Sequence, residues 1–151
     1  KRTAGAKKNM RKRSLPSSSI KNIVLDSWAL IAHFEGEPRG EKLSQIFSGA
    51  PKEGRVFLVS AVNWGEVLYT VEKRHGLQRS AYAEHLMEQM DLETVPVDRD
   101  MARAAAHLKA HYGLHYTDAF AAALAIERNA ELVTGDADFK SVESKVKIFW
   151  L

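Results

Sequence analysis

The chain has 151 residues, of which 45% are hydrophobic and 27% are charged, a composition typical of one globular domain. It contains no cysteine, which excludes disulfides, thiolate metal sites and cysteine nucleophiles and fits a reducing cytoplasm. No apolar run approaches the roughly 20 residues that a bilayer requires, and the sequence begins without the apolar core of a signal peptide. We therefore expect a cytoplasmic protein with no membrane contact.

Residues 1–21 differ from the rest of the chain in charge. They contain eight basic and no acidic residues, so that the overall net charge of +3 conceals a net charge of −5 over residues 22–151, which carry 14 basic and 19 acidic residues. The segment has little to bury and contains Pro16 and three consecutive serines, which predicts disorder. Two interpretations stay open: a basic arm that contacts RNA phosphates, and a floppy terminus or the remnant of a tag.

The remaining chain alternates between strand-like and helix-like segments. We predict strands at 23–25, 56–59, 92–97, 132–134 and 146–149, and helices at 27–34, 40–47, 61–73, 80–90, 99–112 and 118–128, with a loop at 48–54. Ser80, Asp98 and Thr117 are predicted to cap the helices at 80–90, 99–112 and 118–128, and Gly76 and Gly113 are predicted to end the helices at 61–73 and 99–112. This order predicts an α/β fold with a mostly parallel central sheet of four to five strands and helices on both faces.

Acidic residues recur at the ends or edges of the apolar segments. Asp26 and Asp136 each follow a predicted strand, Glu66 lies among apolar residues of a helix, and Asp118 begins a helix of small apolar residues. Asp138 is a second candidate beside Asp136. An α/β sheet forms its ligand crevice at the carboxyl ends of its strands. Carboxylates gathered there would repel one another unless a cation neutralised them, which indicates hard-metal chemistry on phosphate.

Each acid also has an ordinary explanation. Asp26 can be a helix cap, Glu66 an exposed surface residue, and Asp118 a complement to the helix dipole. Asp136 and Asp138 can belong to a simple turn that is rich in Asp and Gly. Only the combination of the acids, in this order, favours a site.

The combination resembles the PIN-domain nucleases, and in particular the VapC-type toxins of bacterial toxin–antitoxin systems. The phrases that carry the resemblance are IVLDSWALIAHFEGE, VSAVNWGEVLYTV, YTDAFAAALA and LVTGDADF, and it covers residues 22–151. The basic segment before residue 22 is not part of the family pattern. The resemblance implies a single PIN-like nuclease domain over residues 22–151.

The resemblance also implies an activity. Asp26, Glu66, Asp118 and Asp136 would be the catalytic residues and would bind Mg²⁺ or Mn²⁺, with Asp138 as an outer ligand. The protein would hydrolyse RNA phosphodiester bonds as an endoribonuclease acting on tRNA, rRNA or mRNA. It would pair with a cognate antitoxin and form a homodimer. Ser27, Thr117 and Thr134 would hydrogen-bond ligands or waters, or else serve as caps and turn residues.

Two other functions are alternatives to this nuclease. One is a PIN-like module that binds RNA or protein with little or no hydrolysis, although the presence of all four acids argues against it. The other is a phosphotransfer domain of the receiver or haloacid-dehalogenase type. The first strand is followed by DSWAL, which lacks the paired acids of the former and the DxD of the latter.

Two sets of aromatic side chains have alternative interpretations. His107, His111 and His115 have the spacing of a helical zinc site, but the glutamate of the HExxH motif is absent. Trp28 and Trp64 flank candidate ligands, where they would stack on bases or pack in the core or a dimer contact.

Overall fold

A computed structural model of the protein describes residues 22–151, apart from the side chains of residues 50–53. The disorder predicted for residues 1–21 lies outside the described residues. The strands are β1 (Asn22–Leu25), β2 (Val56–Ser60), β3 (Leu92–Val95), β4 (Glu131–Thr134) and β5 (Ile148–Trp150). They form one sheet in the order β3-β2-β1-β4-β5, in which all neighbouring strands are parallel. The predicted α/β fold is confirmed. β3 lies at an edge of the sheet and ends at Val95, directly before Pro96, whereas the strand was predicted to reach 97.

Helices cover both faces of the sheet. They are α1 (Ser27–Phe34), α2 (Pro38–Glu53), α3 (Ala61–His75), α4 (Leu77–Gln89), α5 (Arg99–Tyr112) and α6 (Tyr116–Glu127), with a short 3-10 helix at Ala137–Val142. Strand residues alternate between two cores: Ile23 and Leu25 pack with α1–α4, whereas Val24 packs with α5 and α6. Of the helices that the structure describes, none is long and apolar enough to cross a membrane.

The register of β1 and β4 determines where the polar residues meet. Leu25 pairs with Val133, so the next residues, Asp26 and Thr134, lie side by side where both strands end. Because α1 begins directly after β1 and α3 directly after β2, the first turns of both helices lie at this same edge. The sheet therefore brings residues that are distant in sequence to its carboxyl edge.

Some predicted boundaries were wrong. The helix expected to end at 47 continues to Glu53, and the hydroxyl of Ser48 donates to the carbonyl of Ser44 within it (2.9 Å). Serine and glycine lower helix propensity by about 1 kcal/mol or less, which tertiary packing readily overrides. Gly40 assists this packing, because a β-carbon there would lie 2.5 Å from the carbonyl oxygen of Ala32 in α1.

Two predicted caps are also wrong. Helix α4 begins at Leu77 after Gly76, so Ser80 lies inside the helix and donates to the carbonyl of Leu68 in α3 (3.1 Å). Helix α6 begins at Tyr116, so Thr117 is a helical residue whose hydroxyl points to another element. By contrast, Asp98 caps α5 through the amide of Met101 and Gly113 ends that helix in the left-handed conformation, as predicted.

Candidate metal centre

Asp26 is a buried carboxylate at the end of β1. It caps α1, with Oδ1 accepting from the amide of Ala29 (2.8 Å), and Oδ2 accepts from the hydroxyl of Thr134 (2.5 Å). Burial raises the pKa of Asp26 from 3.8 to about 7 against these two hydrogen bonds, and the charges of Asp118 and Asp136 raise it further. Its role as a helix cap therefore does not exclude Asp26 from a metal site. The two hydrogen bonds fix the carboxylate in place, and burial makes its negative charge unfavourable.

The turn after β4 carries the next two acids. The amide of Asp136 donates to the hydroxyl of Thr134 (3.0 Å), so that hydroxyl connects Asp136 with Asp26. The Oδ1 atom of Asp136 accepts from the amide of Asp138 (2.9 Å) and caps the 3-10 helix, which the sequence analysis did not predict. Gly135 lies under the indole of Trp28, where a β-carbon would come within 2.3 Å of the ring. Glycine lets the tryptophan pack directly on the backbone.

Glu66 projects from α3 and is held by two hydroxyls. Its Oε2 atom accepts from Ser27 at the start of α1, and its Oε1 atom accepts from Thr117 in the first turn of α6 (3.1 Å). Both hydroxyls were candidates for contacts of this kind, and here neither caps its helix. The carboxylate of Glu66 thus joins the beginnings of two helices that come from opposite faces of the sheet.

Asp118, Asp136 and Asp138 offer their oxygens to a common point. One carboxylate oxygen from each lies within 4.8 Å of the other two, which is a geometry that can hold a metal ion. Burial raises the pKa of Asp118 to about 7, and the charges of Asp136, Glu66 and Asp138 add to the rise while His115 opposes it. The Nε2 atom of His115 lies 3.5 Å from the Oδ2 atom of Asp138 at the exposed rim of the cluster.

The structure thus brings all five predicted acids to one edge of the sheet, in two groups. The first group, Asp118, Asp136 and Asp138, is open to a common ligand. The second, Asp26 and Glu66, has all four carboxylate oxygens engaged by protein donors and interacts with the first through charge. The assignment of individual acids as metal ligands stays a prediction.

The donor chemistry fits a hard divalent cation. The cluster offers only oxygen, which Mg²⁺ and Mn²⁺ prefer over nitrogen or sulfur. Among the residues that the structure describes, no lysine or arginine forms an ion pair with any of the five acids. Burial is the main cause of the raised pKa of Asp26 and of Asp118, and repulsion between the acids adds to it, so a bound cation would offset both effects.

One polar residue beneath the acids was not predicted from the sequence. Asn63, in the first turn of α3, is completely buried and contacts Ser27, Ser60 and the backbone of Thr117. Two signals could have found it: an amide side chain three residues after a serine cap, and a polar residue one helical turn before Glu66 on the inward face.

The aromatic candidates have other surroundings. His107 and His111 lie next to each other on α5, with ring centroids 4.0 Å apart, but neither belongs to the group that could hold a metal within the described part of the chain. Trp28 and Trp64 are half-buried and pack against the core formed with α1–α4, which favours the packing interpretation.

Comparisons with known proteins agree with this architecture. The family model described as "PIN domain" matches residues 23–145. No curated protein matches the chain in sequence at a significant level. Similar solved structures include the toxin VapC20 of Mycobacterium tuberculosis, described as cleaving the sarcin–ricin loop (17% identity, TM-score 0.67, 80% of this chain and 94% of that one).

Two further structures are toxin–antitoxin complexes bound to DNA. VapBC2 of Rickettsia felis, on a promoter fragment, has 17% identity and a TM-score of 0.66 over 85% of this chain and 97% of that one. VapBC of Salmonella typhimurium has 20% identity and a TM-score of 0.64 over 85% and 96%. At these identities the likeness concerns the fold, whereas the family model extends over most of the described residues, and by that match the chain belongs to the PIN domain family.

Proposed function

We propose that the protein is an Mg²⁺- or Mn²⁺-dependent endoribonuclease that hydrolyses RNA phosphodiester bonds. The observation that carries the proposal is the convergence of Asp118, Asp136 and Asp138, with oxygens within 4.8 Å of one another, beside the buried carboxylate of Asp26. Membership of the PIN domain family supports nuclease chemistry at this edge of the sheet.

The acids of the site have different roles in the proposed reaction. Asp118, Asp136 and Asp138 would hold the ion, which would supply a Lewis acid for activating water and would neutralise charge on the phosphate. The Ala29 amide and the Thr134 hydroxyl hold the two oxygens of Asp26 in place, so that this carboxylate would contribute a fixed negative charge beside the ion. Glu66 keeps the first turns of α1 and α6 at a constant separation through Ser27 and Thr117. Such preorganisation keeps the acids from having to rearrange during the reaction.

We further infer that the protein is the toxin of a type II toxin–antitoxin pair and forms a homodimer. Support for the toxin role comes from three structural neighbours, a VapC toxin and two VapBC complexes, that match over nearly their whole length. The homodimer is what the resemblance to VapC-type toxins implies. An antitoxin could silence the site by inserting an Arg or Lys side chain among acids that have no such partner in the described chain. Expression of the toxin alone should stop growth, and co-expression of the neighbouring open reading frame should restore it.

The decisive experiment is incubation of the protein with total cellular RNA, with and without a chelator, followed by mapping of the new ends. We expect tRNA, rRNA or mRNA to be cut at discrete positions, and the chelator to prevent it. A cytoplasmic location, which the sequence predicts, would give the enzyme access to these substrates.

The matched variants are Asp118→Asn and Glu131→Gln. Glu131 is a buried acid at the opposite edge of the sheet, where Arg55 and Lys147 each lie 3.6 Å from it. Asp118→Asn should remove cleavage and Glu131→Gln should retain it. Undiminished cleavage by Asp118→Asn would refute the assignment. Saturable Mn²⁺ binding without any cleavage by the wild-type protein would point instead to a binding module.

A further inference from the structure

Asn63 is the most fully engaged buried polar side chain below the acids. It is 0% exposed, and both ends of its amide are used. Its Oδ1 atom accepts from the hydroxyl of Ser60 (2.5 Å), and its Nδ2 atom donates to the hydroxyl of Ser27 (3.1 Å) and to the carbonyl of Thr117 (3.0 Å). One side chain thus connects the end of β2 with the first turns of α1, α3 and α6.

These contacts lead directly to Glu66. Ser27, which accepts from Asn63, donates to one oxygen of Glu66, and Thr117, whose carbonyl accepts from Asn63, donates its hydroxyl to the other. The side-chain amide of Asn63 and the carboxylate of Glu66 therefore lie on opposite sides of one hydrogen-bonded ring. Asp118 follows Thr117 directly, so the ring also sets where α6 presents that acid.

Helix capping does not account for this arrangement. The cap of α3 is Ser60, whose hydroxyl accepts from the backbone amide of Asn63 (3.0 Å), an interaction that any residue at position 63 would provide. The side-chain amide is instead directed between α1 and α6. Removing the side-chain amide would take one donor from the buried Ser27 hydroxyl and one from the part-buried carbonyl of Thr117, and would leave the buried Ser60 hydroxyl without its acceptor, which costs free energy.

We propose that Asn63 is a positioning residue for the metal centre. It acts through Ser27 and Thr117, which set the place of Glu66 and the distance between the beginnings of α1 and α6, and thereby the geometry of the acids that face the ion. This inference rests on the proposed metal-dependent function, but it concerns the geometry of the site rather than the identity of the substrate.

The test compares Mn²⁺ affinity with stability in the full chain. Asn63→Ala should weaken Mn²⁺ binding by about 10- to 100-fold, the range found when residues that orient metal ligands are lost. Ser80→Ala is the matched control, because Ser80 is also buried and donates to the carbonyl of Leu68, away from the acids. Calorimetric titration with Mn²⁺ and thermal unfolding would be measured for both variants.

The expected result is a lower Tm in both variants with weaker Mn²⁺ binding in Asn63→Ala only. Equal Mn²⁺ affinity in Asn63→Ala and the wild-type protein would overturn the inference and leave the proposed nuclease intact. Absence of Mn²⁺ binding by the wild-type protein would overturn the proposed function, and this inference with it.

A second variant keeps the proposal testable if Asn63→Ala does not fold. Ser27→Ala removes the hydroxyl that lies between Asn63 and Glu66. It should weaken Mn²⁺ binding in the same direction, and unchanged affinity in it would also overturn the inference. Where both single variants fold, their losses of Mn²⁺ affinity should not add in the double variant, because both substitutions interrupt the same hydrogen-bonded connection from Asn63 through Ser27 to Glu66. Additive losses would mean that Asn63 does not act through Ser27.

Discussion

The two ends of helix α1 each carry an acid, and their surroundings are opposite. At the beginning, Asp26 is fully buried, accepts two neutral hydrogen bonds and has a pKa raised to about 7 by burial. At the end, Glu35 accepts two hydrogen bonds from the guanidinium of Arg74 (2.8 and 3.0 Å) and lies 3.2 Å from His75. The bond from Arg74 is the main reason that the pKa of Glu35 lies below its usual range.

The described part of the chain supplies a cationic side chain to the acid at the end of α1 but not to the acid at its beginning. Glu35 is compensated by a neighbouring side chain, so its ionisation stabilises the fold. Burial raises the pKa of Asp26, and the charges of Asp118 and Asp136 add to the rise, so its ionisation works against the fold. Proteins retain such conflicts mainly at functional sites, where a ligand resolves them.

The largest expected effect is on metal binding and RNA cleavage. Asp26→Asn should reduce Mn²⁺ affinity and cleavage by at least about 100-fold, because even residues that only orient ligands commonly contribute 10- to 100-fold. Glu35→Gln should leave both unchanged, since Glu35 lies at the other end of the helix. Titration with Mn²⁺ and cleavage of total RNA would measure the two variants side by side. Similar losses in both would mean that the effect is one of stability, and the contrast would fail.

The second effect is on the pH dependence of stability without metal. The folded pKa of Asp26 lies above its ordinary value of 3.8, so between about pH 4 and 7 the folded state holds the extra proton and stability falls as pH rises. Asp118 acts in the same direction. For Glu35 the folded pKa lies below 4.5, so its contribution is present above that value and is lost only as pH falls further.

Thermal unfolding at several pH values would test these signs. In the presence of a chelator, the Asp118→Asn variant should have a higher Tm than the wild-type protein. This difference in Tm should increase from pH 5 to pH 8. Added Mn²⁺ should raise the wild-type Tm more at pH 8 than at pH 6, because at the lower pH it competes with protons. A Tm difference between the two proteins that is constant with pH would contradict the raised pKa of Asp118.

The same contrast shows what the sequence could and could not predict. Residues with a local cause were placed correctly: α1 spans Ser27–Phe34 as predicted, and Asp98 and Gly113 bound α5. Thr117 and Ser80 were misplaced because their hydroxyls bond to other helices, and local propensity carries no information about such partners. The acids were recognised as a set by the order of their motifs. Their division into engaged and open carboxylates depends on distances between elements, which no spacing along the chain reveals.

The third effect concerns the packing that holds the Asp26 end in place. Gly135→Ala should lower the free energy of unfolding by about 1–3 kcal/mol, the usual cost of overpacking, because the new methyl group meets the indole of Trp28. The φ angle of Gly135 is not positive, so backbone strain does not contribute. Chemical denaturation would measure the loss, and Trp28→Leu in the same chain should recover part of it.

Gly65→Ala is the matched control for this substitution. Gly65 lies in α3 beside Glu66, and a β-carbon there meets nothing within 4 Å. Alanine in a helix is favoured over glycine by about 0.5–1 kcal/mol, so this variant should be more stable than the wild-type protein. Equal destabilisation by both substitutions would show that any added volume near the acids is harmful, and that contact with Trp28 is not the cause.

The smallest effect is expected at the compensated end of α1. Arg74→Ala removes the partner of Glu35, but the arginine side chain is 53% exposed, and exposed ion pairs contribute only about 0.2–1 kcal/mol. The loss should shrink further in high salt, which screens exposed charges. Mn²⁺ affinity should not change, because the wild-type guanidinium pairs with Glu35 and with none of the five acids at the sheet edge. Stability measured at low and high salt, together with an Mn²⁺ titration, would check this. A change in Mn²⁺ affinity would mean that the two ends of α1 are coupled, and that compensation at one end is part of how the other end binds its cation.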